Sequence, residues 1–129
     1  MRMKPVTIAW REYAQRDYED GEALLSIKRY HGALFFYHQS LEKLAKVYII
    51  EHSEHNPPFV HDIRYLLKLT QLPVEDIVHV DLKELSLVYT RLRYPDMNTS
   101  HYSDTQVVLN LIKQFKTVYL WLHTQFKDK

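Results

Sequence analysis

Between Tyr89 and Tyr102 the chain gathers the residue types that grip a phosphorylated base: Arg91 and Arg93, with Tyr89, Tyr94 and Tyr102 around them, and Asp96 in the run Arg93-Tyr94-Pro95-Asp96. A guanidinium offers a phosphate a permanently charged, two-pronged donor, and a phenol ring offers a face on which a base can stack. This chemistry predicts a pocket in which Arg91 or Arg93 clamps a nucleotide phosphate while Tyr89, Tyr94 or Tyr102 takes the base. The competing reading is structural. Arginine favours the last turn of a helix, proline stops the helix, and aspartate steadies the turn that follows.

Other residues invite chemistry less strongly. Eight histidines raise the question of a metal, above all His52, Glu54, His55 and His61 around a proline loop. Imidazole and carboxylate suit zinc, yet the chain has neither an HExxH helix nor a thiolate, so scattered surface histidines are the better reading and no metal or other cofactor is expected. His38 and Glu42 stand four residues apart on a helix, the spacing of a surface pair or a partly buried hydrogen bond. His61 and Asp62 begin a helix, where anchoring is the expected role. Lys43 and Lys46 read as a solvated face. Most of the 10 tyrosines, among them Tyr13, Tyr18, Tyr37, Tyr48 and Tyr119, read as core or interface fillers with a polar tip. With no cysteine and only 2 glycines, thiolate chemistry, disulfides and glycine-rich phosphate loops are excluded. No Gly-x-Ser-x-Gly elbow occurs, which removes that route to a serine nucleophile.

The elements that must position these residues are helices. The 5 prolines, at Pro5, Pro57, Pro58, Pro73 and Pro95, punctuate long stretches free of breakers. A first amphipathic helix is expected over 6–27, with Trp10, Ala14, Gly21, Leu24 and Leu25 on its apolar stripe. Gly32 is expected in the turn to a second helix, over 33–51. A loop around Pro57 and Pro58 precedes a shorter helix over 61–69, Asp81 caps the next over 82–93, and Asp104 or Thr105 caps the last over 106–126. No segment alternates for long enough to argue a sheet, so the pattern predicts an all-α, antiparallel up-and-down bundle of four to five helices in a single domain over 1–129.

At 129 residues the chain is the size of one domain, and 46% hydrophobic with 26% charged residues is the composition of a folded globule. Lysine and arginine number 17 against 16 acidic residues, so an anionic partner must be met by a local patch. The charged start, without an apolar core, and the lack of any long apolar run predict a soluble cytoplasmic protein with no membrane partner.

Taken in order, the first helix, YHGALFFYHQSLEKLAKVYI, the proline loop, HDIRYLLKL, LVYTRLRYPD and the long last helix resemble the HEPN domain family over nearly the whole chain. The most specific pieces are Tyr30 to Lys46 and the Arg93-Tyr94-Pro95-Asp96 signature. The resemblance implies a small antiparallel helical bundle that often dimerises. Many members are metal-independent ribonucleases, frequently toxins, whose site is an arginine followed by four to six residues and a histidine across a dimer cleft. Others bind nucleotides without cutting, and small stand-alone members often accompany a minimal nucleotidyltransferase. Arg93 matches the family arginine, and its charge would stabilise a phosphorane-like transition state. The proton-moving histidine would be His101, with seven residues between it and Arg93, one more than the family spacing allows. The first reading is therefore a homodimeric, nucleotide- or RNA-phosphate-binding regulatory module working with a nucleotidyltransferase in a toxin–antitoxin-like system. A metal-independent endoribonuclease using Arg93 and His101 is the second, and a structural protein-interaction bundle the third.

Overall fold

The structure, a computed structural model, describes residues 3–54, 56–94 and 101–126, and at position 101 the backbone alone. Its described residues form five α-helices: α1 Pro5–Ser26, α2 Tyr30–His52, α3 Ile63–Thr70, α4 Leu82–Arg93 and α5 Thr105–Gln125. No strand occurs among them. No helix among the described residues is long and apolar enough to cross a membrane.

Each boundary has a local cause. Pro5 occupies the first turn of α1, where its missing N–H costs nothing. Three aspartates cap helices through their side chains: Asp62 accepts from the Tyr65 N–H, Asp81 from Glu84 and Asp104 from Gln106. Gly32 does not make the turn expected of it. The chain reverses over 27–29 with Lys28 at φ 63°, and Gly32 already lies in the first turn of α2. A β-carbon there would meet Leu24 Cδ1 at 3.2 Å, so the glycine serves a close helix approach. The third helix begins at Ile63, two residues later than expected, because Asp62 is its cap. It ends at Thr70 through Gln71 at φ 61°, before Pro73 is reached. A short 3-10 turn, Val74–Ile77, then follows.

α2 is the central element and touches every other helix. The backbone N–H of Lys4 donates to Glu51, so the start of α1 lies beside the end of α2 and the pair is antiparallel. Arg11 meets His123, Tyr119 donates to Gln15 and Lys116 to Glu22, which sets α5 antiparallel to α1. The contacts His38–Tyr89 and Arg93–Phe35 run α4 against α2. Leu34, Leu41 and Leu44 of α2, Leu66 and Leu67 of α3, Leu85 and Val88 of α4, and Phe115 and Leu122 of α5 are fully buried and form one core. α1 departs from its expected stripe: Ala14, Tyr18 and Gly21 are buried but Trp10 is 39% exposed. The small residues Ala14 and Gly21 let α1 lie close on α2, Gly21 against the Tyr37 ring. Tyr13 is likewise exposed, with Arg16 over its ring at 5.0 Å.

Candidate functional site

One face of α2 carries Phe35, His38, Glu42 and Lys46 at helical spacing, turned toward α3 and α4. His38 and Glu42 are both buried, 3% and 8% exposed, among leucines of the core. Of the two roles expected for them, a surface pair or a partly buried hydrogen-bonding group, the buried one is found, and more deeply than expected. A carboxylate taken out of water needs partners, and Glu42 has them. Its Oε2 accepts from Lys46 Nζ at 3.0 Å and from His61 Nδ1 at 2.9 Å, and its Oε1 lies 3.8 Å from His38 Nδ1. Lys46, expected on a solvated face, is thereby drawn against the bundle with a side chain only 12% exposed, and Lys43 pairs with Asp17 at 2.7 Å.

His61 reaches Glu42 from the residue just before the Asp62 cap, so the start of α3 holds the ring in position. A carboxylate only accepts hydrogen bonds, hence Nδ1 of His61 carries a proton, and among the described residues Nε2 has no hydrogen-bond partner. The His61 ring stacks on Tyr89 of α4, centroids 4.0 Å apart and planes 9° from parallel. Arg93, one turn further along α4, places its guanidinium 4.4 Å from the same Tyr89 centroid and 6.0 Å from that of Phe35. Two groups this close to one ring centre must use its two faces. The result is a column, His61, Tyr89, Arg93, footed on the buried Glu42. Among the described residues no carboxylate pairs with Arg93, so its charge is available.

Beneath the column His38 packs between Tyr89 and Phe115, each 5.8 Å away. Burial pushes its pKa down to about 4, aided by His61 and Arg93 and opposed by Glu42. It is neutral at pH 7, and its Nε2 finds no hydrogen-bond partner among the described residues. Chemically, the arrangement can hold an anion at Arg93, present a flat ring edge to a base, and exchange a proton at His61 Nε2.

The residues expected from sequence divide into groups. Tyr89 and Arg93 come together. Arg91 turns the other way, to Glu84 at 3.2 Å and to Tyr102, whose ring centre lies 5.9 Å from the guanidinium. Tyr102 is 1% exposed, so its ring is closed to a base and cannot stack as expected; Arg91 holds it in place instead. Tyr94, just past α4, is 55% exposed. Asp96 lies outside the described residues, as does the side chain of His101. The backbone of 101–103 forms a 3-10 turn fastened to α2, where His31 Nε2 donates to the Tyr102 carbonyl at 2.7 Å. No group of three histidine, aspartate or glutamate side chains among the described residues could hold a metal. Sequence reasoning missed His38, Glu42 and His61 as one cluster, although two polar residues on the leucine-bearing face of α2 carried a signal.

No curated protein and no solved structure matches the chain. The family model of the HEPN domain matches residues 8–125, from the first turn of α1 to the end of α5. By that match the chain belongs to the HEPN domain family.

Proposed function

We propose that this HEPN domain is a nucleotide- or RNA-phosphate-binding regulatory module of the cytoplasm. In this reading Arg93 holds the phosphate, while Tyr94 and the exposed edges of Tyr89 and His61 receive the base. The observation that carries it is the His61–Tyr89–Arg93 column, in which a guanidinium without a carboxylate partner among the described residues is braced on an aromatic face. The guanidinium is exposed to a ligand and, held over the ring, has less freedom to lose on capture of a phosphate. Fluorescence anisotropy with a labelled single-stranded RNA tests it: Arg93→Ala should weaken binding by about tenfold or more, the loss of a charge-assisted bidentate contact. Unchanged affinity would overturn the reading.

HEPN domains often dimerise, and the homodimer proposed here is supported by the exposed stripe Val6, Trp10 and Tyr13 along α1. A minimal nucleotidyltransferase in a toxin–antitoxin-like pair is the proposed partner, supported by family membership. Copurification of the two from coexpressed genes is its test.

Metal-independent cleavage is a second reading, favoured by the carboxylate-held His61 standing one ring away from Arg93. The sequence offers His101 as the proton-moving group and the Glu42–His61 pair offers another. Incubation of end-labelled RNA in EDTA, with Arg93→Ala, His61→Ala and His101→Ala beside the wild type, separates them. Cleavage lost only with Arg93 and His101 assigns the family pair, cleavage lost only with Arg93 and His61 assigns the other, and no cleavage leaves binding alone.

A further inference from the structure

A cavity of about 340 Å³ lies between α3 and α4. His61 and Tyr89 of the stack line it together with Asp62 and Arg64 on the α3 side and Lys83, Ser86, Leu87 and Thr90 on α4. Ser86 ties the seam together, because its Oγ accepts from the Arg64 backbone N–H at 3.0 Å and donates to the Leu82 carbonyl at 2.8 Å. That clasp joins the backbone at Arg64 to α4 one turn beyond Lys83, so the two exposed cations face the same seam. Neither cation has an ion-pair partner among the described residues. The one carboxylate in the lining, Asp62, has an oxygen engaged in capping α3 through the Tyr65 N–H at 3.1 Å. The cavity thus combines net positive charge, two hydroxyls and a wall shared with the Arg93 column.

Lys83 and Arg93 stand at opposite ends of α4, ten residues apart. At about 1.5 Å per residue that separates them by about 15 Å along the helix axis. One phosphate cannot reach both. At about 3.4 Å per nucleotide in helical geometry that distance takes between four and five steps, so the three steps between the phosphates of a 5′-phosphorylated tetranucleotide span it when the strand is extended. Cations spaced along a groove with aromatic side chains between them are the means by which proteins track a single strand; here both faces of Tyr89 are taken, by His61 and Arg93, and the exposed His61 lies between the two cationic ends.

We propose that this cavity is a second phosphate subsite and that the site takes a single-stranded oligonucleotide, which runs from Arg93 past the Tyr89–His61 stack to Arg64 and Lys83. The inference rests on the reading above, that Arg93 holds a nucleotide phosphate. A mononucleotide then fills half the site, and affinity grows with chain length.

Titration of the full chain with 5′-phosphorylated mononucleotide, dinucleotide and tetranucleotide, at several salt concentrations, tests it. Wild type should bind the tetranucleotide at least about tenfold more tightly than the mononucleotide, and Arg64→Ala/Lys83→Ala should remove most of that advantage. The double variant should also lower the salt slope for the tetranucleotide by about 0.7, the value for one lost single-strand phosphate contact. Lys113→Ala, an exposed cation on α5, should track the wild type and controls for net charge. Equal affinity at all lengths, or a double variant with the full advantage, overturns the subsite while Arg93-dependent mononucleotide binding stands. Binding of no length at all overturns the Arg93 reading and the subsite with it. Polyglutamate competing as well as the tetranucleotide overturns the nucleic-acid assignment. RNA and DNA tetranucleotides run in parallel identify the source: equal binding supports readout through phosphate and base alone, and tighter RNA supports a contribution from the 2′-hydroxyl.

Discussion

His38 sits in the core beneath the site, and its burial links stability to pH. The unfolded chain takes up a proton on this ring near the ordinary value of 6.5, whereas the folded protein refuses it until about 4. Between those values the unfolded state binds more protons, so stability falls as pH drops through the window and is fully present above it. The melting temperature should fall between pH 7 and pH 5 in the wild type and fall less in His38→Gln; parallel curves would contradict the assignment. Glu42 gives a second expectation at this scale. Glu42→Ala leaves Lys46 and His61 without their acceptor and should cost about 1–3 kcal/mol in urea denaturation, with RNA affinity reduced as His61 loses its brace. Glu42→Gln keeps an oxygen for His61 Nδ1 and should recover part of both. Arg93 and Tyr89 were legible in the sequence because they share one short helix. The Glu42–His61 pair was not, since its members are joined by tertiary packing of α3 on α2, which no local spacing encodes.

Helix by helix, the periodic stretches located the elements, and the errors fell where the chain reverses and on the stripe of α1, where Trp10 is exposed. Gly32 illustrates the reason: a glycine is needed for a left-handed turn or for a close approach, and sequence does not tell which. Here the non-glycine Lys28 takes the positive φ, and both glycines serve packing. Their surroundings differ, which gives substitutions of opposite sign. A β-carbon at Gly21 would lie 3.2–3.3 Å from three atoms of the Tyr37 ring, a buried side chain packed edge-on to Tyr18 at 5.3 Å. Gly21→Ala should therefore lose about 1 kcal/mol or more, since overpacking outweighs the helix preference for alanine. At Gly32 the neighbour is the tip of a half-buried leucine that can rotate aside. Gly32→Ala should be neutral or stabilising by up to about 1 kcal/mol. Removal of the Asp81 cap of α4 should cost about 1 kcal/mol in thermal or urea melts, because the orphaned Glu84 N–H returns to water. All three are read from the same melting experiment.

As a whole molecule, the protein is an up-and-down bundle whose central helix buries leucines against its neighbours and carries the strip of His38, Glu42 and Lys46 toward α3 and α4. That class of fold was legible because apolar residues recur at helical spacing and sheet signals are missing. The location of the site was less so, because it depends on which face of α2 receives α3 and α4. If the α1 stripe of Val6, Trp10 and Tyr13 is the homodimer face, Trp10→Glu/Tyr13→Glu should halve the mass measured by light scattering without lowering helicity. The central claim is that Arg93, braced on Tyr89, captures a nucleic-acid phosphate. It is tested most directly by the anisotropy of a labelled single-stranded RNA titrated with the full chain at fixed salt, with Arg93→Ala and Lys113→Ala in parallel. The predicted result is salt-sensitive binding that Lys113→Ala retains and Arg93→Ala loses by about tenfold or more. Binding that is absent in the wild type, or that survives Arg93→Ala at full strength, would contradict it.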